Sequence, residues 1–112
     1  MRTIKFRGLR VDGKGWVYGM TISSGNIKRK AHNLYFEIGN NKWVQVIPES
    51  VGQFTGLQDK NGVDIYEGDI IYLAGYGIYD VEFPFIELYE ASYEGDIGDI
   101  KGNIHENKLT KV

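Results

Sequence analysis

A chain of 112 residues that is 42% apolar and 25% charged is long enough for one modest hydrophobic core and too apolar for intrinsic disorder. It has no cysteine, which excludes disulfides, thiolate metal sites and a cysteine nucleophile. The net charge of −2 conceals a division: residues 1–56 carry five Lys and four Arg against one Asp and two Glu, net +6, and residues 57–112 carry four Lys against six Asp and six Glu, net −8. Glycine, at 15 residues, is about twice its usual share, which calls for many tight turns and therefore many short strands. The N-terminal residues have no apolar signal-peptide core, and no apolar run approaches the ~18 residues of a membrane helix. A soluble, unprocessed protein is expected, as one domain over residues 1–112.

Ile4-Lys5-Phe6-Arg7 alternates apolar and basic residues as a half-buried strand does. Asp12-Gly13-Lys14-Gly15 predicts a hairpin turn, with Trp16-Val17-Tyr18 returning. Ser23-Ser24-Gly25-Asn26 breaks the pattern, and Ile27-Lys28-Arg29-Lys30 is a short basic run. Residues 34–38 and 42–47 form a second strand pair about Gly39-Asn40-Asn41, with Pro48 ending it. Residues 53–57 are extended, Asp59-Lys60-Asn61-Gly62 is a turn with Asn61-Gly62 suited to left-handed positions, and Glu67-Gly68-Asp69 is another. Residues 70–74 and 78–83 pair about Gly75-Tyr76-Gly77, with Val81 and Phe83 inward. One helix is predicted around 84–94: Pro84 at its first position, Phe85, Leu88 and Tyr89 on one face, and Gly95 to stop it. Residues 102–106 form a last short strand or closing turn. The pattern predicts a mainly β chain of short antiparallel strands, a small barrel or sandwich, with at most one short helix; Gly68-Asp69 leading into Ile70-Ile71-Tyr72 is, by analogy, an entry into an SH3-like barrel. The expected core is Ile4, Phe6, Trp16, Tyr18, Phe36, Val44, Val46, Phe54, Leu57, Ile70, Tyr72, Val81, Phe83 and Ile104.

Several segments together resemble the YopX protein family. They are Lys5-Phe6-Arg7-Gly8, Trp16-Val17-Tyr18-Gly19, the long block from Ile47-Pro48-Glu49-Ser50 through Val51-Gly52-Gln53-Phe54-Thr55-Gly56-Leu57, then Asp59-Lys60-Asn61-Gly62, Ile65-Tyr66-Glu67-Gly68-Asp69-Ile70 and Gly102-Asn103-Ile104-His105-Glu106-Asn107. The resemblance implies a mainly β fold with SH3-like barrel character, a phage or prophage origin and a bacterial cytoplasm. It brings no activity and no site residues, because the family is one of unknown function. Residues 23–33 and 84–99 match the pattern least.

Individual motifs argue against chemistry. Read as an EF-hand from Asp59, the loop has Val63 at the fifth ligand position, Asp64 where Gly belongs and Ile70 where Glu belongs, so a hydrogen-bonded turn is expected instead. Asp64, Glu67 and Asp69 are close enough in sequence for acid–base work, but an Asp beside a turn Gly ordinarily bonds its own backbone. His32 and His105 lack metal-ligand spacing, and no Gly-rich phosphate loop opens a helix. No enzyme activity and no cofactor are expected. Gly56, Asn61, Gly62, Gly68 and Asp69 are expected to be structural turn residues.

Two kinds of partner remain. From residue 80 to 99 there are seven carboxylates and no Lys or Arg, interleaved with aromatic residues; Glu87, Tyr89, Glu90, Tyr93 and Glu94 make the preferred protein-contact face, for a host or phage protein. The alternative is a single-stranded nucleic acid on Arg2, Lys5, Arg7, Lys28, Arg29 and Lys30, with Trp16 and Tyr18 stacking bases, against which stands the acidic isoelectric point near 5.6. Association with a second copy through open strand edges is also compatible with short strands.

Overall fold

The glycine-rich reversals divide the described residues into ten short strands, one 3-10 turn, one α-helix at Ile86–Glu94 and a helical turn at residues 104–106. The computed structural model describes residues 5–20, 22, 23 and 34–106. Contacts between Cα atoms fall into two compact units, with the boundary between Gln53 and Phe54. The mainly β, antiparallel class is the class the sequence predicts; the expectation of at most one helix is corrected by residues 104–106, expected as part of a last strand or closing turn, which are helical. The hydrogen-bonded ladders stay open among the described residues.

The first unit contains β1 (Phe6–Leu9), β2 (Trp16–Gly19), β3 (Ile22–Ser23), β4 (Leu34–Glu37), β5 (Trp43–Val46), the 3-10 turn Pro48–Ser50 and the start of β6 (Gly52–Gln58). β1 and β2 form the predicted hairpin; Asp12 Oδ1 accepts the Lys14 N–H at 3.0 Å inside its turn. The β4–β5 turn is built on Asn40 and Asn41, both left-handed at φ +51° and +60°, with Lys42 N–H donating to the Gly39 carbonyl at 2.9 Å. Two successive left-handed residues match the right-handed twist of the flanking strands, and Asn tolerates that region better than most. Phe36, Val17 and Val46 form the core, with Phe6, Leu34, Val44 and Val51 packed on it. Ser50, buried, accepts the Leu9 N–H at 2.7 Å and donates to the Ile47 carbonyl at 2.6 Å, so β1 is tied to the 3-10 turn through one hydroxyl.

The second unit contains the rest of β6, then β7 (Asp64–Tyr66), β8 (Asp69–Leu73), β9 (Gly77–Asp80), α1 (Ile86–Glu94) and β10 (Ile97–Asn103). β8 is the central strand of its sheet, in the order β10-β8-β9. Its core is Ile65, Ile71, Leu73, Val81, Phe85, Leu88 and Ala91, with Leu57, Tyr79, Ile97 and Ile100 packed against it.

The expected core needs correction at four positions. Tyr18 is exposed because β2 turns Val17 inward instead. Tyr72 is exposed, and Ile70 only half-buried, because β8 buries Asp69, Ile71 and Leu73. A pattern that puts the charged Asp69 outside puts Ile70 and Tyr72 inside; a phase error of one residue flips a whole strand. Phe83 is 67% exposed because β9 ends at Asp80 and Phe83 lies in the connection to the helix. Phe36, Val46, Phe54 and Val81 are buried as expected; Phe6, Trp16, Val44, Leu57 and Ile104 are half-buried. Ile4 lies outside the described residues.

The helix also begins later than the spacing predicts. Pro84 stays outside it, and Phe85 is its N-cap in the left-handed region at φ +68°. For a bulky residue that conformation costs of order 1–3 kcal/mol, and it persists only where surrounding contacts over-determine it. Here the ring is 1% exposed, edge-on to Phe83 and Tyr89 at centroid distances of 5.6 and 6.1 Å. Gly95 ends the helix as expected, its N–H donating back to the Ser92 carbonyl.

β10 is the element the sequence conceals. It starts at Ile97, five residues before the expected closing strand, and its pairing with β8 shifts register twice, between Ile97 and Ile100 and between Ile100 and Gly102. At Gly98 the backbone approaches β8 so closely that a Cβ atom would stand 2.7 Å from the Tyr72 carbonyl oxygen. Gly98→Ala should therefore lower unfolding stability by about 1–3 kcal/mol, read as a shifted urea midpoint at unchanged slope. A midpoint equal to wild type would show that the approach is not a constraint.

Candidate functional site

The second unit uses its acidic side chains in two different ways. Asp59 and Asp69 are buried, and both accept backbone N–H groups. Asp59 Oδ1 takes Asn61 N–H at 2.8 Å and Val63 N–H at 2.9 Å, and Oδ2 takes Ile100 N–H at 3.1 Å. Burial pushes the Asp59 carboxyl up, but the three N–H donors outweigh it, and its pKa sits below the ordinary carboxylate value. These oxygens close a turn and anchor β10, the role expected of a hydrogen-bonded turn. Gly62 is left-handed at φ +81°, whereas Asn61 is not among the left-handed residues. Its contribution is the N–H given to Asp59, so the expectation of a left-handed Asn61 is corrected.

Asp69 likewise bonds the backbone of its own turn: Oδ2 accepts Tyr66 N–H at 2.8 Å, and Oδ1 accepts the Asn103 amide at 3.3 Å. Ile104 N–H donates to the Gly68 carbonyl, and His105 N–H to Asn103 Oδ1. Two sequence blocks far apart in the chain, around Gly68-Asp69 and around Asn103-Ile104-His105, therefore meet in one structural knot. Asp64 accepts from the Gln58 side chain at 3.1 Å. Gly56 is left-handed at φ +88°. Beside it, Thr55 Oγ1 donates to the Ile65 carbonyl at 2.8 Å and accepts the Leu57 N–H at 3.2 Å.

The helix α1 carries the other class of acid. Leu88 and Ala91 are buried. Its outward half is split lengthwise, because residues three or four apart share a face. One stripe is Ile86, Tyr89 and Tyr93; the stripe beside it is Glu87, Glu90 and Glu94. Tyr93 is 94% exposed and Ile86 56%. Tyr89 stands at the edge of the buried face and donates its hydroxyl to the Thr55 carbonyl at 2.8 Å. Glu87 accepts from Tyr79 Oη at 3.1 Å; burial, and then that bond, raise the Tyr79 phenol to about 12, so it remains a donor at any physiological pH. Among the described residues Glu90 and Glu94 take part in no ion pair. On the flank of the acidic stripe lies an open cleft of ≈ 430 Å³, with Leu73, Ala74 and Ala91 in its apolar lining and Glu87, Glu90, Glu94 and Asp96 around it. All five residues expected for the protein-contact face thus lie on one helix. The sequence reading missed Ile86 and the cleft; the spacing 86-89-93 beside 87-90-94 carries the signal for the first.

Of the six basic residues expected on a nucleic-acid face, Lys5 and Arg7 are among the described residues. Arg7 is 7% exposed, its guanidinium carbon 4.1 Å from the centroid of the Trp16 ring, so it packs inside the first unit and is not presented on a phosphate-binding face. Lys5 is half-buried, and Arg2, Lys28, Arg29 and Lys30 lie outside the described residues, as does His32. Arg10 is paired with Asp12 at 2.8 Å.

A family model described as YopX protein matches residues 5–98. The chain belongs to the YopX family. The match contains both buried aspartates and the whole of α1, and stops before the Gly102–Asn107 segment that also carries the resemblance. Comparison with curated proteins and with solved structures gives no match for this YopX chain. Among the described residues no helix is long and apolar enough to cross a membrane.

Two outcomes test the knot. Gly68 is at φ +93°, and a Cβ there would also lie 3.3 Å from Asn103 Nδ2 and from the His105 ring. Gly68→Val should destabilise by more than about 1 kcal/mol in chemical denaturation, and an unchanged midpoint would remove Gly68 from the structural set. Asp59, with a lowered folded-state pKa, adds stability that is present above its unfolded value near 3.9 and is lost as pH falls through the folded value. Asp59→Asn should be less stable at neutral pH and should lack that share of the acid loss; superimposable stability curves from about pH 7 to 2 would contradict the assignment.

Proposed function

We propose that this YopX-family chain is a non-catalytic accessory protein of a phage or prophage, acting in the bacterial cytoplasm as a protein-interaction module. Its contact surface is the outward half of α1, and its partner presents a basic surface. The observation that carries the reading is the pairing of an exposed Ile86-Tyr89-Tyr93 stripe with the Glu87-Glu90-Glu94 stripe on one short helix. Exposed aromatic groups next to charge are the composition of interface anchors, and the carboxylates supply attraction and register. The non-catalytic part of the reading is supported by the bonding of Asp59 and Asp69 to backbone and amide N–H groups, which leaves those carboxylates engaged in structure. The nucleic-acid alternative draws less support, because Arg7 is buried against Trp16.

Affinity capture from bacterial lysate tests the surface. Glu90→Lys with Glu94→Lys reverses two charges that hold no fold-maintaining bond among the described residues. Wild type should retain a basic protein at low salt and release it at about 0.5 M salt, and the double variant should not retain it. The same captured set from both proteins would remove the acidic face from consideration.

A further inference from the structure

We infer that the segment of the partner seated on α1 is itself a basic amphipathic helix, with an apolar row lying on Ile86, Tyr89 and Tyr93 and a row of Lys or Arg reaching across the acidic stripe into the neighbouring cleft. The inference rests on the interaction surface proposed above and specifies its occupant. Three features lie side by side in a fixed lateral order. The aromatic stripe is first, the carboxylates are second, and the cleft lined by Leu73, Ala74 and Ala91 is third. All three run along the helix, so the surface repeats every three to four residues. Only a partner with the same period can place an apolar and a basic side chain against each turn of α1. An α-helix has that period, whereas an extended strand, with its period of two, drives alternate side chains away from the surface.

The cleft gives the basic row a destination. Lys and Arg carry a long apolar stem below a charged head. The stem matches the apolar lining, and the head comes to Glu90, Glu94 and Asp96 at the rim. Tyr76, 67% exposed and edge-on to Tyr79 at 5.8 Å, stands at the same cleft with its ring available to a guanidinium. Glu87, bonded to Tyr79, marks one end of the row. α1 has nine residues, about 13 Å, so it offers between two and three turns of contact, and an affinity in the micromolar range is appropriate to so short a face.

The test titrates the full chain with three synthetic peptides of one composition. In the first, Leu and Lys/Arg rows run side by side at helical spacing. In the second the same residues are scrambled. In the third, proline interrupts the first sequence. The first should bind at least about tenfold more tightly than the other two, perturb amide signals of residues 86–96, and lose its advantage on Glu90→Lys plus Glu94→Lys and on Tyr93→Ala. Equal binding of all three would overturn the helical occupant and leave an acidic face that recognises charge alone. Binding by none, with capture from lysate still lost on charge reversal, would also overturn the helix while sparing the surface. Binding by none together with unchanged capture would overturn both. Concentration-dependent self-association that the charge reversal abolishes would replace the foreign helix by a second copy of this chain.

Discussion

A chain of short, irregular strands leaves backbone N–H groups at its turns with no ladder partner, and each needs an acceptor before it can be buried. In the second unit this requirement falls on Asp59 and Asp69. The first closes the β6–β7 turn and takes the Ile100 N–H; the second closes the β7–β8 turn and takes the Asn103 amide. Both therefore also fasten β10, whose register with β8 is interrupted twice. α1 leads directly into β10 through Gly95 and Asp96, with Asp96 N–H returning to the Ala91 carbonyl and its own carbonyl accepting Ala74 N–H. The orientation of the helix, and with it the acidic and aromatic stripes, follows from where those two carboxylates anchor the last strand.

The helix gains little from its own sequence. Nine residues are too few for a stable isolated helix. Phe85 provides no side-chain cap and sits in a strained conformation. Glu90 and Glu94 stand in the C-terminal half, where the helix dipole disfavours negative charge, and the three glutamates repel one another at i, i+3 and i+4 spacings. Burial of Phe85, Leu88 and Ala91 against Ile65, Ile71 and Leu73 is what compensates. An acidic stripe that opposes local helix stability is a departure from the agreement between levels of structure, and such departures are expected at functional or strained sites.

The legible part of the fold was its punctuation. Asp12-Gly13-Lys14-Gly15, Gly39-Asn40-Asn41, the Asp59 turn and Gly95 all act as their chemistry dictates. Less legible was which face of a strand is buried when the inward residue is charged. A carboxylate that accepts a turn N–H is stable inside, yet a hydrophobicity pattern assigns it to solvent; that single residue misplaced Ile70 and Tyr72. β10 was hidden for a related reason: Gly98 and Gly102 mark bulges and a close approach, and a strand with bulges has no clean period of two to read. At the candidate surface the acidic and aromatic composition of the helix was legible, while the exposure of Ile86 and the cleft depended on which helical residues turn inward. Arg7 was misread because a cation stacked on Trp16 is invisible to a count of basic residues.

Net charge is the least informative electrostatic property of this chain. Residues 54–56 carry no charge, so the change from a net +6 to a net −8 along the sequence falls at the boundary between the two units at Gln53 and Phe54. At physiological ionic strength an exposed charge is felt over roughly 8 Å. Glu87, Glu90 and Glu94 lie within about two turns of one helix, so the local field there is set by them more than by a whole-chain value of −2. The nearest cation in sequence to that stripe is Lys101, already paired with Asp99 at 3.0 Å. The field over the helix is thus strongly acidic on a nearly neutral protein.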